Sequence, residues 1–292
     1  MDAQPDLAGR AIIITGAGKG LGRAYALHLG RGGAAIVVNN RWRNRAEPSS
    51  ADAVVAEIVG AGGCAVASHH AVEDPASGEA MVALAQDHFG RLDGVIANAG
   101  VPESATFGRQ SLDDFRAVFD TNFFGTLHIV HASWKAMLAQ KYGRVVVSTS
   151  SAGLHGNHGM PAYSASKAAL IGLMRALALE GARSNVRANA LAPYAATPMT
   201  SAYLADDVVR RMPPESVAPL AAWLVSEACD VSGEVLVAGA GSLRRARMLE
   251  GRVIPAGTAV GKAVHAAVED LPTATFPHAN AAWDSYMSAV PA

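Results

Sequence analysis

Short apolar runs alternate along the chain with stretches whose apolar residues recur at helical spacing. Ala11 to Thr15, Ala35 to Asn39, Ala65 to Ser68, Gly94 to Ala97, Arg144 to Ser148 and Asn185 to Ala190 read as strands, and Val235 to Val237 fits a last one. Between Tyr163 and Gly181, Leu170, Ile171, Met174, Leu177 and Ala178 mark one face of a helix. The alternation predicts a doubly wound α/β fold, a mostly parallel seven-stranded sheet flanked by helices, with ligands at the carboxyl ends of the strands. After Gly241 the pattern changes, as Arg244-Arg-Ala-Arg247 leads into a tail containing Pro, His and Trp. A domain over 1–241 and an extension over 242–292 are expected.

The first strand runs into Gly16-Ala-Gly-Lys-Gly20-Leu-Gly22. Without Cβ atoms in the way, backbone N–H groups and the start of an Arg23 to Gly30 helix can face a pyrophosphate. The dinucleotide fingerprint GxGxxG is not met, because Leu21 (counting from Gly16) and Arg23 (from Gly18) stand where its third glycine belongs. The spacing is instead Thr15-Gly16-x-x-x-Gly20-x-Gly22. A plain tight turn would also use glycine, but here the strand and helix that a nucleotide site requires surround it.

Tyr163-Ser-Ala-Ser-Lys167 follows Ser150 by thirteen positions. On a helix Tyr163 and Lys167 share a face, and an ammonium beside a phenol lowers a pKa that is ordinarily about 10, bringing it within range of acid/base chemistry. Together with Asn98-Ala-Gly100, Asn122 and Pro193, these motifs resemble the short-chain dehydrogenase/reductase family over roughly residues 8 to 240. Within that family the chain is similar to the (3R)-hydroxyacyl-CoA dehydrogenase unit of peroxisomal multifunctional enzymes and its bacterial relatives. Gly22-Arg-Ala-Tyr-Ala-Leu27, Lys141-Tyr-Gly-Arg144, Gly156-Asn157, Glu180-Gly181 with Ser184-Asn185, Pro214 to Leu220 with Trp223-Leu224, and Val237 to Gly241 carry that likeness.

The resemblance implies a Rossmann-like fold and an NAD(P)-dependent oxidoreductase that interconverts a secondary alcohol and a ketone. Tyr163 would be the acid/base, Lys167 would hold ribose hydroxyls and acidify Tyr163, Ser150 would polarise the substrate oxygen, and Asn122 would hold a water linking Lys167 to solvent. Ser148, Thr149 and Ser151 are equally good hydroxyls; Ser150 is preferred because Gly153 and Tyr163 stand at the family distances from it. Cofactor contacts are expected from Gly16, Lys19, Gly20, Leu21, Gly22, Asn40, Arg41, Val72, Asn98, Ala99, Gly100, Pro193 and Thr197, besides Tyr163 and Lys167. Where NAD-using relatives place an aspartate the chain has Asn40, followed by Arg41, so NADP(H) is favoured over NAD(H). The alternative is that Asn40 binds the NAD ribose while Arg41, Arg43 and Arg45 form a solvated loop. His70 replaces an aspartate that many relatives have near the adenine.

Residues 193–230 resemble a substrate lid. Ser150, His155, His158, Tyr194, Met199 and Tyr203 are the candidate substrate contacts, with Met212 and Trp223 extending an apolar wall suited to an acyl chain or steroid. The resemblance also implies a homodimer or homotetramer through helices around Phe115 to Ala139 and Tyr163 to Gly181. The extension would pack on its own domain or a neighbouring subunit.

Composition narrows the reading further. The chain has 292 residues, 50% of them hydrophobic, and a net charge of −1. A large core is available, and no global field calls for nucleic acid or an anionic membrane. The two cysteines, Cys64 and Cys229, and the absence of a leader before the first strand point to the cytoplasm. The apolar runs are too short to span a bilayer. His155-x-x-His158 lacks the cysteine or carboxylate company of a metal site, so no metal is expected. His128 and His131 read as ordinary helix histidines, and Arg244 to Arg247 as a solvated face. From a different class, a catalytically silent nucleotide sensor or scaffold of the same fold stands as the competing reading.

Overall fold

The computed structural model describes residues 6–42, 44, 46–102, 104–201, 204–255 and 259–290. In its first half, β1 (Ala11–Ile14), α1 (Gly20–Arg31), β2 (Ala35–Asn39), α2 (Ser50–Gly60), β3 (Cys64–Ser68), α3 (Ser77–Phe89) and β4 (Gly94–Ala97) alternate strictly. Then come α4 (Leu112–Phe119), α5 (Gly125–Ala139), β5 (Gly143–Ser148), α6 (Ser151–His155), α7 (Pro161–Gly181) and β6 (Val186–Pro193). The chain continues through α8 (Asp206–Arg211), α9 (Ala218–Val225), β7 (Val235–Gly239), β8 (Ser242–Ala246), α10 (Val260–Glu269) and α11 (Ala279–Ala289). The sheet order is β3-β2-β1-β4-β5-β6-β7-β8, and the pairings from β3 through β7 are parallel.

Side chains alternate across each strand, so each strand supplies two cores. Ile12, Ile14, Ile36, Val38, Ile96, Val146 and Leu191 join Tyr25 and Leu29 of α1, Val54 and Ile58 of α2, and Ala221, Ala222 and Val225 of α9 in one cluster. Ile13, Val37, Val95, Val145 and Val147, also buried, point to the opposite face. At the amino ends of the strands, fully buried Asp93 accepts from Ala11 N at 2.9 Å and pairs with Arg10 and Arg91.

The structure adds an eighth strand to the seven that were expected. Ala240 and Gly241 both have positive φ, 50° and 70°, the conformation of a two-residue type I′ turn that sends the chain back along the sheet edge. The arginine-rich stretch assigned to the extension thus begins inside an exposed edge strand, where Arg245 pairs with Glu234. Of the stretch resembling a lid, α9 is core: Ala218, Ala221, Ala222, Leu224 and Val225 are buried, and Trp223 packs against the same cluster rather than forming a substrate wall. The chain divides into two compact units, Met1–Arg245 and Ala246–Ala292. In the second, Glu250 bridges to Ala274 and Arg252 pairs with Asp270. Among the described residues no helix is long and apolar enough to cross a membrane.

Candidate active site

β1 and β4 are neighbours whose chains depart in opposite directions across the sheet, and a crevice opens beyond their carboxyl ends. Thr15 ties the two ends together. Its hydroxyl accepts from the N–H groups of Asn98 and Ala99, both at 3.0 Å, and Asn98 Nδ2 donates to Thr15 O at 3.1 Å. A cleft of about 640 Å³ lies here, lined by Gly16, Lys19, Gly20, Leu21, Asn40, Arg41, Val72, Asn98, Ala99, Gly100, Tyr163, Lys167, Pro193 and Thr197. The expected cofactor residues therefore converge, with one exception. Gly22 is buried in α1, and a Cβ there would fall 2.3 Å from Gly16 O, so it allows the helix to close on the loop instead of lining the cleft.

No side chain caps α1 at Lys19, so the leading N–H groups of its first turn lack a side-chain acceptor where Lys19, Gly20 and Leu21 line the cleft. That arrangement fits a pyrophosphate. Gly18, which the motif reading passed over, is needed because a Cβ would meet Ser50 Oγ at 2.3 Å and Asn40 Nδ2 at 2.9 Å.

Tyr163 and Lys167 lie in the first turns of α7, with Lys167 Nζ 5.8 Å from the Tyr163 ring centroid. Lys167 donates to Ser148 O at 2.7 Å; burial penalises its ammonium and lowers its pKa to about 8. Tyr163 hydrogen-bonds Ser150, but its pKa is raised: burial, which disfavours phenolate, outweighs the lowering from that bond. Burial thus works against the acidification of the phenol expected from its neighbour.

Three of the four candidate hydroxyls have different surroundings. Ser150 caps α6, accepting from Ala152 N at 3.2 Å, and bonds Tyr163, whereas Thr149 is turned to Lys167 O at 2.7 Å and Ser148 Oγ is buried without a partner. Gly153 has a physical reason too, since a Cβ would meet Lys167 C and Cβ at 2.8 Å. Asn122 sits in a π-helical turn, Asp120–Phe124, a form that recurs at functional sites. It exchanges two bonds with the Val101 backbone, at 2.8 and 3.2 Å, and donates to Ser166 Oγ at 3.3 Å. A Cβ on Gly100 would lie 3.1 Å from Asn122 Oδ1 and 3.4 Å from Lys167 Nζ, so these three residues meet.

At the far end of the cleft, Asn40 Nδ2 donates to Ser50 Oγ at 2.8 Å, and Arg41 pairs with Glu73, a residue the sequence reading missed. Nothing in a linear motif links positions 41 and 73. The adjacency of β2 and β3 brings them together.

The substrate candidates fare less evenly. Met199 lines the cleft. His155 and His158 are exposed outside the lining, because α6 ends at His155 and Gly156, with φ 71°, turns the chain away. Tyr194 also lies outside it, its backbone continuing the pairing with Ala238 O at 2.7 Å. Tyr203, Arg43 and Arg45 fall outside the described residues. Among those described, no cluster of three or more His, Cys, Asp or Glu could hold a metal ion. His128 is satisfied structurally, its Nδ1 bonded to Val72 O at 3.0 Å.

Residues 10–207 match the short chain dehydrogenase family. A Mycobacterium tuberculosis protein named as a short-chain type dehydrogenase/reductase is 44% identical over 245 residues, 82% of this chain and 86% of that one. Peroxisomal multifunctional enzyme type 2 of mouse is 41% identical over 243 residues; the match covers 82% of this chain but only 33% of that longer protein. The crystal structure of a short chain dehydrogenase from Mycobacterium avium superposes with a TM-score of 0.82 at 33% identity, covering 91% of this chain and 98% of the other. With its glycine loop, tyrosine and lysine lining one cleft, Ser150 bonded to that tyrosine from outside the lining, and this kinship, the chain is a member of the short-chain dehydrogenase family, whose oxidoreductases use NAD(P)(H).

Proposed function

We propose that the chain interconverts a secondary alcohol and a ketone of apolar character, with Tyr163 as the group that gives and takes the proton. The convergence of Tyr163, bonded to Ser150, with Lys167 at the cleft carries this reading. The nicotinamide, when bound, supplies or accepts hydride at the carbon. In reduction, Tyr163, kept protonated by burial, donates to the carbonyl oxygen that Ser150 polarises. Lys167, with its pKa near 8, would hold ribose hydroxyls and refill the phenol, and Asn122 would connect that lysine to solvent through a water. In oxidation each proton step reverses. Gly16, Lys19, Gly20 and Leu21 would hold the pyrophosphate and Val72 would flank the adenine.

Asn40 presents no carboxylate to a 2′-phosphate, and this supports a preference for NADP(H), with Arg41 as the nearby cation. Met199 and the resemblance to the hydroxyacyl-CoA dehydrogenase branch support a 3-hydroxyacyl-CoA or steroid-like substrate. Unpaired Cys64 and Cys229 are compatible with the cytoplasm. The exposed aromatic edge at Phe124 and the exposed Leu179 of α7 support a homodimer or homotetramer, which a light-scattering mass of one 30.0 kDa chain would contradict.

Fluorescence titration with NADPH and NADH, followed by absorbance assays on ketones, 3-oxoacyl thioesters and oxosteroids, tests the function. Turnover on one ketone class supports it. Nucleotide binding with no turnover on any class returns the chain to the sensor reading.

A further inference from the structure

We propose that Glu73 sets the balance between NADP(H) and NAD(H) by holding Arg41 in a charge-neutral pair; the inference rests on the cofactor reading above. β2 and β3 run parallel, with Asn39 opposite Ser68, so the chain beyond each strand reaches the same rim of the cleft. Arg41 and Glu73 both line that rim and form an ion pair, with side chains 29% and 30% exposed. The pair is thus partly shielded from solvent, and its charges are screened less than those of a surface pair.

Glu73 depends on this partner. Its Oε2 is buried with no hydrogen bond, and among the described residues its ion-pair partner is Arg41. Drawing Arg41 away to a 2′-phosphate would strand a half-buried carboxylate beside a second anion. Leaving the pair intact would present that phosphate with a group of no net charge, and Lys19 of the glycine loop would face it with little help. Either course weakens NADP(H) and leaves NAD(H), which has a single hydroxyl at that position, largely untouched. Asn40, uncharged and bonded to Ser50, does not repel the phosphate but brings no cation to it. The arginine that favours NADP(H) is therefore opposed by a carboxylate from the segment that follows the next strand.

The test is fluorescence titration of NADPH and NADH into the wild-type chain and the Glu73→Gln, Arg41→Ala and double variants, with a melting curve for each. Glu73→Gln should raise the ratio of the NADH to the NADPH dissociation constant about tenfold, as expected for releasing a charge-assisted partner. In the Arg41→Ala background the same change should leave the ratio within about twofold, because the two effects are coupled. If the glutamine variant does not fold, Glu73→Ala carries the same expectation. A ratio that does not move, or a gain that persists without Arg41, overturns the inference while the cofactor reading stands. Wild-type protein that binds neither nucleotide overturns the cofactor reading itself.

Discussion

Tyr163 and Lys167 show how burial sets chemistry one side chain at a time. Both lose water, and both shift toward their neutral forms, the phenol upward and the ammonium down to about 8. Replacing Tyr163 with Phe removes the proton donor, so kcat should fall by about a thousandfold, the middle of the range for general acid catalysis, while nucleotide titration still shows binding. An equal loss of binding and turnover would mean that the ring, and not its hydroxyl, is what matters.

For Lys167 the folded pKa lies below the unfolded value, so between about pH 8 and 10.5 the unfolded chain binds more protons. Stability contributed at this position is therefore lowest below pH 8 and rises with pH across that window. Relative to a Lys167→Met variant, the wild type should gain roughly 3 kcal/mol of unfolding free energy over it, measurable by urea denaturation. A flat difference would show that the lysine is hydrated. The pairing of Tyr163 and Lys167 could be read from their spacing. The direction of the tyrosine shift could not, because it depends on how completely α6 and α7 exclude water.

Among the elements, the loop from Thr15 into α1 has the tightest tolerances. A methyl group at Gly22 would sit 2.3 Å from Gly16 O and 2.7 Å from Asn98 Nδ2, so Gly22→Ala must push α1 off the loop. The expected result is a stability loss of about 2 kcal/mol, typical of overpacking, together with weaker nucleotide binding although Gly22 does not line the cleft. A melting curve and an NADPH titration check both. The strands and the α7 face were readable because their apolar residues keep a single period. α9 was not: its Pro, Ala and Trp composition suits either a lid or a core helix, and only its packing against α1 decides. β8 was hidden for a similar reason, since Ser242 to Ala246 carries the charges of an edge strand. Glu73 was hidden because strand adjacency, and not sequence spacing, sets its partner.

The molecule separates the functions of its two ends. The carboxyl ends of the strands carry the cleft, and the amino ends carry a buried charge network in which Asp93 holds Arg10, Arg91 and the N–H of Ala11. Asp93→Ala should lower stability by about 3–5 kcal/mol, the range for breaking a buried ion pair, and leave the Michaelis constants of the surviving folded protein unchanged. Denaturant melts with parallel kinetics test this, and altered Michaelis constants would show that the two ends communicate.

The hydroxyl of Thr15 also bears on the speed of recognition. By accepting from Asn98 and Ala99 it joins two strand ends through contacts that need no ligand, so folding itself sets the width of the crevice. The ordering entropy is met during folding and not during association, which favours fast, lock-and-key capture of the dinucleotide. Amide hydrogen exchange at Asn98 and Ala99 should accordingly be slow in the free protein and change little on saturation with nucleotide; strong new protection there would mean that the crevice is assembled by its ligand.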